Sequence, residues 1–435
     1  MKRIARVIAL LLALPAGGAL AADLTSVYKM AGENDPALRA ARANRDATFE
    51  AEPIARAGLL PNVSLNGDAN YTNQDVKDSA SGSFNDDFTS ASGSVQATMP
   101  LYRKDRQVQL DQAKNQVAQA EFDYNQAQQD LILRMSQAYF GVLSAQDTLE
   151  FAEAEKKAIE RQLDQAKQRF EVGLIAITGV HEAQARYDQA RADEILARTN
   201  LENAIEALHE ITLEVVYPVS QLKKKIPLDP PQPATLDEWT ELALQNNPLI
   251  VSAKYDAEIA RQQIELADAA DSPALDLVGS YGVNRSNADL GTDANNAVVG
   301  LQFSMPLYTG GGVQASTRQA RFRYEAAQEV LEQRRRAVQT QVRNAYRGVV
   351  SSISRVDALE AAQVSASSAL DATEAGFEVG TRTLVDVLNG QRDLFRARRD
   401  YAQSRYDYIL NTLSLMQAAG TLSEDDVTRV NTWLK

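Results

Sequence analysis

The sequence predicts a predominantly helical α+β fold built from two copies of one unit. Three observations carry this reading. Sequence markers recur about 207 residues apart, two proline-free helical stretches each approach seventy residues, and four alternating stretches have the length of strands.

The repeat comes first. Phe170-Glu171-Val172-Gly173 returns as Phe377-Glu378-Val379-Gly380, and Met99-Pro100-Leu101-Tyr102 as Met305-Pro306-Leu307-Tyr308. Asn34-Asp35-Pro36 is echoed by Asn246-Asn247-Pro248. The offsets are 207, 206 and 212, and the order is kept. Such a period is too long for a solenoid repeat, so it marks a duplicated domain. The first repeat is expected over 22–217 and the second over 234–435. Between them, Pro218 to Pro233 holds five of the 13 prolines. No regular element survives that density, so this stretch is the connection.

Four strands are expected at about 62–73, 92–102, 274–285 and 296–308. In the first, Val63, Leu65, Gly67, Ala69 and Tyr71 alternate with Asn and Ser positions and Asp68. Such a period of two gives each strand one apolar and one polar face. About ten residues is also the span of a tilted transmembrane strand. The connections from Thr72 to Ser92 and from Arg285 to Asn295 are rich in Gly, Ser, Asn and Asp, which reads as loop. Pro100 and Pro306 are expected at strand ends, where a missing N–H is tolerated. These strands fit either a soluble β-domain or a membrane barrel. Four strands cannot close a barrel, and open edges cannot exist in lipid, so a membrane reading demands an oligomer.

The helices follow. From about Tyr102 to Glu171 there is no proline and only Gly141. Apolar residues such as Ile132, Met135, Tyr139, Val142 and Leu149 keep coiled-coil spacing. Seventy helical residues reach roughly 105 Å. The second repeat matches this from about Val313 to Glu378. Each long helix stops at a Val-Gly, and each is followed by a shorter helical stretch, about 179–211 and 384–418. Two long antiparallel helical hairpins result.

Met1 to Ala21 reads as an export leader: Lys2, Arg3 and Arg6, an apolar run from Ile8 to Leu14, then Ala19-Leu20-Ala21. No later stretch is apolar enough to span a bilayer as a helix. The chain has no cysteine, so its stability draws on no disulfide. A net charge of −13 argues against nucleic acid as a partner.

Catalytic motifs are not found. His181 and His209 each precede a glutamate, but neither has the second histidine of a zinc-protease helix. Gly310-Gly311-Gly312 lacks the Lys-Ser/Thr of a phosphate loop and reads as a strand-to-helix junction. No nucleophile, base and orienter set stands out, so neither an enzyme nor a cofactor is expected.

Taken together, these features resemble the TolC family of outer-membrane factors. The most specific segments are Arg161 to Gln165, Phe170 to Thr178 and Asp371 to Leu388. The resemblance implies a homotrimer with a shared twelve-stranded barrel in outer-membrane lipid, a helical tunnel in the periplasm of a Gram-negative bacterium, and an equatorial region of short elements. It also implies docking to a periplasmic adaptor and an inner-membrane RND or ABC transporter, with export of drugs, proteins or both. A periplasmic adaptor or structural coiled-coil protein is the competing reading, but an adaptor would carry one hairpin rather than two.

By position, the resemblance places Gln162, Glu374 and Arg405 in one gate link, and Thr178 with Arg382 in another. Asp386 and Asn389 fall on a constriction ring, and Val172-Gly173-Leu174 and Val379-Gly380-Thr381 on adaptor-docking tips. Three Asp386 carboxylates meeting at the ring would raise each other's pKa and favour cations. Three positions depart from the family pattern. Gly179 and Asn389 replace aspartates, and Phe377 replaces a tyrosine. On this reading Arg382 loses two partners, and the gate is latched differently or less tightly.

Overall fold

The computed structural model describes residues 21–76, 84–287 and 293–435. Residues 1–20 of the expected leader lie outside these. In chain order the elements are α1 (Leu24–Asn34), α2 (Pro36–Phe49), α3 (Ala51–Ala57), β1 (Asn62–Val76), β2 (Phe84–Arg103), α4 (Lys104–Glu171) and α5 (Ile177–Thr212). Then come α6 (Leu236–Asn246), α7 (Pro248–Asp268), β3 (Ala274–Ser286), β4 (Ala294–Ser304), α8 (Gly312–Glu378), α9 (Leu384–Ala419) and α10 (Glu424–Asn431). Among the described residues no helix is long and apolar enough to cross a membrane.

The chain divides into two compact units. One contains residues 42–124 and 248–336 and carries the sheet, an antiparallel meander in the order β1-β2-β3-β4. Register aligns the apolar positions into rows. Leu65 faces Val95, Val95 faces Tyr281, and Tyr281 faces Ala297. The next row is Val63, Ala97, Gly279 and Val299. Directly paired residues share a face, so these rows form an apolar band on one side of the sheet, which turns polar towards the loop end where Arg285 pairs with Ala91 and Asn73 with Asp87. That side is uncovered: Leu65 is 80% and Val299 83% exposed, and Leu301 and Phe303 are exposed too. A soluble β-domain would set this face on a core. Here it is a continuous apolar surface of the kind a lipid or protein partner covers.

Two strand expectations need correction. β1 runs to Val76 and β2 starts at Phe84, so most of the expected loop from Thr72 to Ser92 is ladder, with Asn73 paired to Asp87 and Gln74 to Asp86. Backbone pairing does not require apolar side chains, and the polar composition concealed the extension. Pro100 is also not at a strand end. It sits inside β2, where the register with β3 shifts between Pro100 and Tyr102. An irregularity of this kind tolerates the absent N–H. Gly310 and Gly311, at φ of 63° and 83°, turn the chain from β4 into α8, a conformation that glycine adopts freely.

The other unit contains residues 125–247 and 337–435 together with the first segment of the chain. Its core holds Leu131, Met135, Tyr139, Phe140 and Leu143 of α4, Leu208 of α5, and Ile409, Leu413 and Leu415 of α9. The connection joins this core without forming a helix or strand of its own. Val219 bridges to Ala22, Leu222 bridges to Leu434, and the Tyr139 hydroxyl donates to the carbonyls of Ala22 and Ser220 at 3.1 and 3.0 Å.

A partly buried polar layer crosses between α4 and α9. The Tyr406 hydroxyl donates to Asp147 Oδ2 at 2.7 Å, and Ser144 bonds Gln403. Burial pushes the Asp147 carboxyl above the usual range; the Tyr406 bond and the Arg405 charge offset this only in part. The folded state therefore favours the protonated acid, and stability is lost as pH rises through the raised value. The asparagine variant Asp147→Asn has no such ionisation. Its melting temperature relative to the parent is expected to climb between pH of about 4 and neutrality. A gap that is constant, or that narrows in that window, would contradict the assignment.

The candidate gate at the hairpin ends

Each long helix ends in the same glycine-dependent cap. In the first hairpin Gly173 has φ of 76°, with Leu174 N–H bonded to Arg169 O at 2.8 Å and Gly173 N–H to Phe170 O at 2.9 Å. In the second, Gly380 has φ of 78°, with Thr381 N–H on Gly376 O at 2.8 Å and Gly380 N–H on Phe377 O at 3.1 Å. This double bonding pattern closes the last helical turn. It leaves Val172, Leu174 and Val379 exposed at the tips.

The return helices start differently. Thr383 and Asp386 form a reciprocal capping box at the start of α9. Asp386 Oδ2 accepts from the Thr383 amide at 2.9 Å and hydroxyl at 2.8 Å, and the Asp386 amide donates back to Thr383 Oγ1 at 3.2 Å. The Thr383 backbone and side-chain donors, helped by the charge of Arg382, hold this carboxyl below the usual range. Within one chain the shift thus opposes the rise expected of a carboxylate ring. At the offset of 207 the first repeat has Ala176 and Gly179 instead. Ala176 makes no side-chain cap, so the α5 start lacks the bonds that fix α9.

The other expected residues distribute as follows. Gln162 and Glu374 line one cavity of about 650 Å³ with Arg161, Arg169, Phe377 and Gln391. Glu374 Oε1 accepts from Gln391 Nε2 at 3.3 Å. Arg405 is not with them, which corrects the first link. It reaches the Lys223 and Lys224 carbonyls at 3.3 Å and lies 5.1 Å from the Tyr401 ring centroid. Arg405 stands 21 residues into α9, several turns from the tip that carries Glu374's partner.

The second link is also not formed within the chain. Thr178 is exposed, and among the described residues Arg382 has no ion pair or side-chain hydrogen bond. Instead the Arg382 stem lies against Gly376, whose missing side chain makes room: a Cβ there would stand 2.8 Å from Arg382 Cγ. Asn389 is engaged too, since its Oδ1 accepts from Arg186 of α5 at 3.2 Å.

Phe377 is not a bare loss. Its ring packs on two small cores, one containing Leu163, Leu384 and Leu388, the other Leu370, Val387 and Leu394. The Arg169 guanidinium lies over it at 4.4 Å from the ring centroid. Arg169, Arg186, Gly376 and Gln391 were not legible as site residues. Arg169, Arg186 and Gln391 each meet a residue of another helix, which local spacing does not mark, and Gly376 meets Arg382 of the turn that follows its own helix.

Among the described residues no group of acids and histidines is placed to hold a metal. The site offers hydrogen bonds, a cation–π contact and apolar packing between the ends of long helices. That is the equipment of a mechanical closure. With the exposed apolar sheet, it defines the class: a channel protomer with a membrane part and a helical conduit.

The chain belongs to the outer membrane efflux protein family, which it matches over residues 27–212 and 239–421. The two matched segments flank the proline-rich connection, as a duplicated unit requires. The chain is 43% identical to the outer membrane protein TolC of Vibrio cholerae over 95% of this chain and 94% of that protein. It is 30% identical to the alkaline protease secretion protein AprF of Pseudomonas aeruginosa, over 94% of this chain and 86% of that one. The crystal structure of the outer membrane protein VceC from Vibrio cholerae superposes with a TM-score of 0.78 at 18% identity, covering 91% of this chain and 96% of that one. The protein is an outer-membrane exit duct.

Proposed function

We propose that three copies pool their sheets into one twelve-stranded barrel in outer-membrane lipid, and that the helical hairpins form a periplasmic conduit gated at their tips. The observation that carries this is the sheet itself. Its apolar face is exposed, and β1 and β4 are edge strands. Lipid tolerates neither unpaired edges nor a polar surface, so edges must pair between copies while the apolar rows face outward. Pairing β4 of one copy with β1 of the next closes the ring.

The gate reading rests on the Arg186–Asn389 and Glu374–Gln391 bonds and the packed tip clusters. Thr178 and Arg382 lack their expected link within the chain and are assigned to contacts between copies. Asp386 rings the constriction. The exposed tips, Val172-Gly173-Leu174 and Val379-Gly380-Thr381, take a periplasmic adaptor that joins the duct to an inner-membrane RND or ABC transporter. The likeness to TolC and to a protease secretion protein supports a duct serving both efflux and type I secretion.

The test is biochemical and electrical. Protein extracted from outer membranes is expected to run as a trimer and to form cation-preferring channels in planar bilayers, with Asp386→Asn reducing that preference. A monomer without conductance would sink the assembly. An unchanged preference in the variant would remove Asp386 from the ring.

A further inference from the structure

We infer that the duct is held shut by a cation–π latch, in which the Arg169 guanidinium clamps the Phe377 ring and so ties the first hairpin to the second. The inference rests on the gate reading and names its regulating contact.

Arg169 stands in the last turn of α4, and Phe377 next to the last residue of α8. The contact therefore joins the two hairpins at their tips, where a change in spacing has most effect on an opening. The guanidinium carbon is 4.4 Å from the ring centroid, within the range of a face-on contact. No carboxylate lies within salt-bridge distance of Arg169 among the described residues, although Glu374 and Glu378 line the same cavity. The ring is its partner. Guanidinium is planar and weakly hydrated, so it stacks on an aromatic face at small desolvation cost.

The ring also packs on two small apolar cores, one joining Leu163 of α4 to Leu384 and Leu388 of α9, the other made of Leu370 of α8 with Val387 and Leu394 of α9. The ring is thus seated among apolar residues of both hairpins, and the Arg169 guanidinium adds the polar contact from the first. The neighbouring cavity of about 650 Å³ gives the arginine somewhere to go, so the contact can break without unfolding either core. This geometry uses the ring and has no need of a phenolic hydroxyl. Phenylalanine at this position replaces a hydrogen-bonded closure with a stacked one instead of leaving the gate loose.

The measurement is the resting conductance of the full-length protein in planar bilayers, for Arg169→Gln, Phe377→Leu, the double variant, Phe377→Tyr and Arg186→Gln. Arg169→Gln and Phe377→Leu are each expected to raise resting conductance by about tenfold. The double variant is expected to rise no further than the larger single effect, because both remove one contact. Phe377→Tyr keeps the ring and is expected to stay closed. Single effects that multiply in the double variant would overturn the latch, because only losses that share no contact are independent. So would an unchanged Arg169→Gln channel beside an opened Arg186→Gln channel, which leaves the gate standing without this contact. If none of the variants changes conductance, the gate reading itself falls and takes the latch with it.

Discussion

Gly420→Ala is expected to destabilise the protein by about 3 kcal/mol, combining left-handed strain with steric overlap. Gly420 ends α9 at φ of 74°, with its N–H on Gln417 O and the Thr421 N–H on Met416 O, both at 2.9 Å. Any Cβ there would stand 2.6 Å from Asn246 O and 2.6 Å from Asn247 Cα. These are backbone atoms at the corner after α6, so no side chain can swing away. Gly380 provides the control. Its φ is 78°, but nothing lies within 4 Å of its missing Cβ, so Gly380→Ala incurs only the conformational strain, about 1–2 kcal/mol. Thermal unfolding followed by far-ultraviolet circular dichroism separates the two. Equal losses in both variants would mean that the close approach at Gly420 carries no energy.

The position 207 residues earlier is Leu213, the chain's one described non-glycine residue at positive φ, at 56°. It ends α5 in the same left-handed turn and is 55% exposed. The duplicated site thus tolerates a side chain in one repeat, where space is open, and excludes it in the other.

The long helices and the duplication were legible because both are written in patterns that local physics enforces. A helix of 68 residues cannot contain an interior proline, and its buried seam recurs every three or four residues. Gly173 and Gly380 were legible as helix stops for the same reason. The helices α1 to α3, α6 and α7 were not; α2 buries only Leu38 and α3 buries nothing, which leaves those two little periodicity to read. Their start signals did exist: Asp23 caps α1, and Thr235 with Glu238 forms a box on α6. The same spacing in Thr383 and Asp386 announced a capping role that the family resemblance overshadowed. The gate partners were beyond reach for a different reason. Arg169 and Phe377 come together only through the packing of two hairpins, and Arg405 is separated from Gln162 by helix length that position in a motif does not convey.

Arg134→Gln is expected to cost about 3 kcal/mol, the low end for breaking a buried ion pair because the arginine is partly open to water. Asp35 is 1% exposed at the start of α2. Its carboxylate takes both Arg134 nitrogens, at 3.1 and 2.9 Å, and the Leu38 amide at 2.8 Å. Without the guanidinium, a buried charge keeps only a backbone donor. The second repeat shows a neutral solution. Asn247 stands for Asp35, and at the offset of 207 Gln341 stands for Arg134. The Asn247 amide meets Ala418 O at 2.9 Å. Adding Asp35→Asn to Arg134→Gln is therefore expected to recover most of the lost stability, because the cost lies in stranding the charge and not in losing the pair. The comparison is the thermal midpoint of parent, single and double variants at one pH. A double variant no more stable than Arg134→Gln alone would show that the ion pair itself is what the first repeat requires.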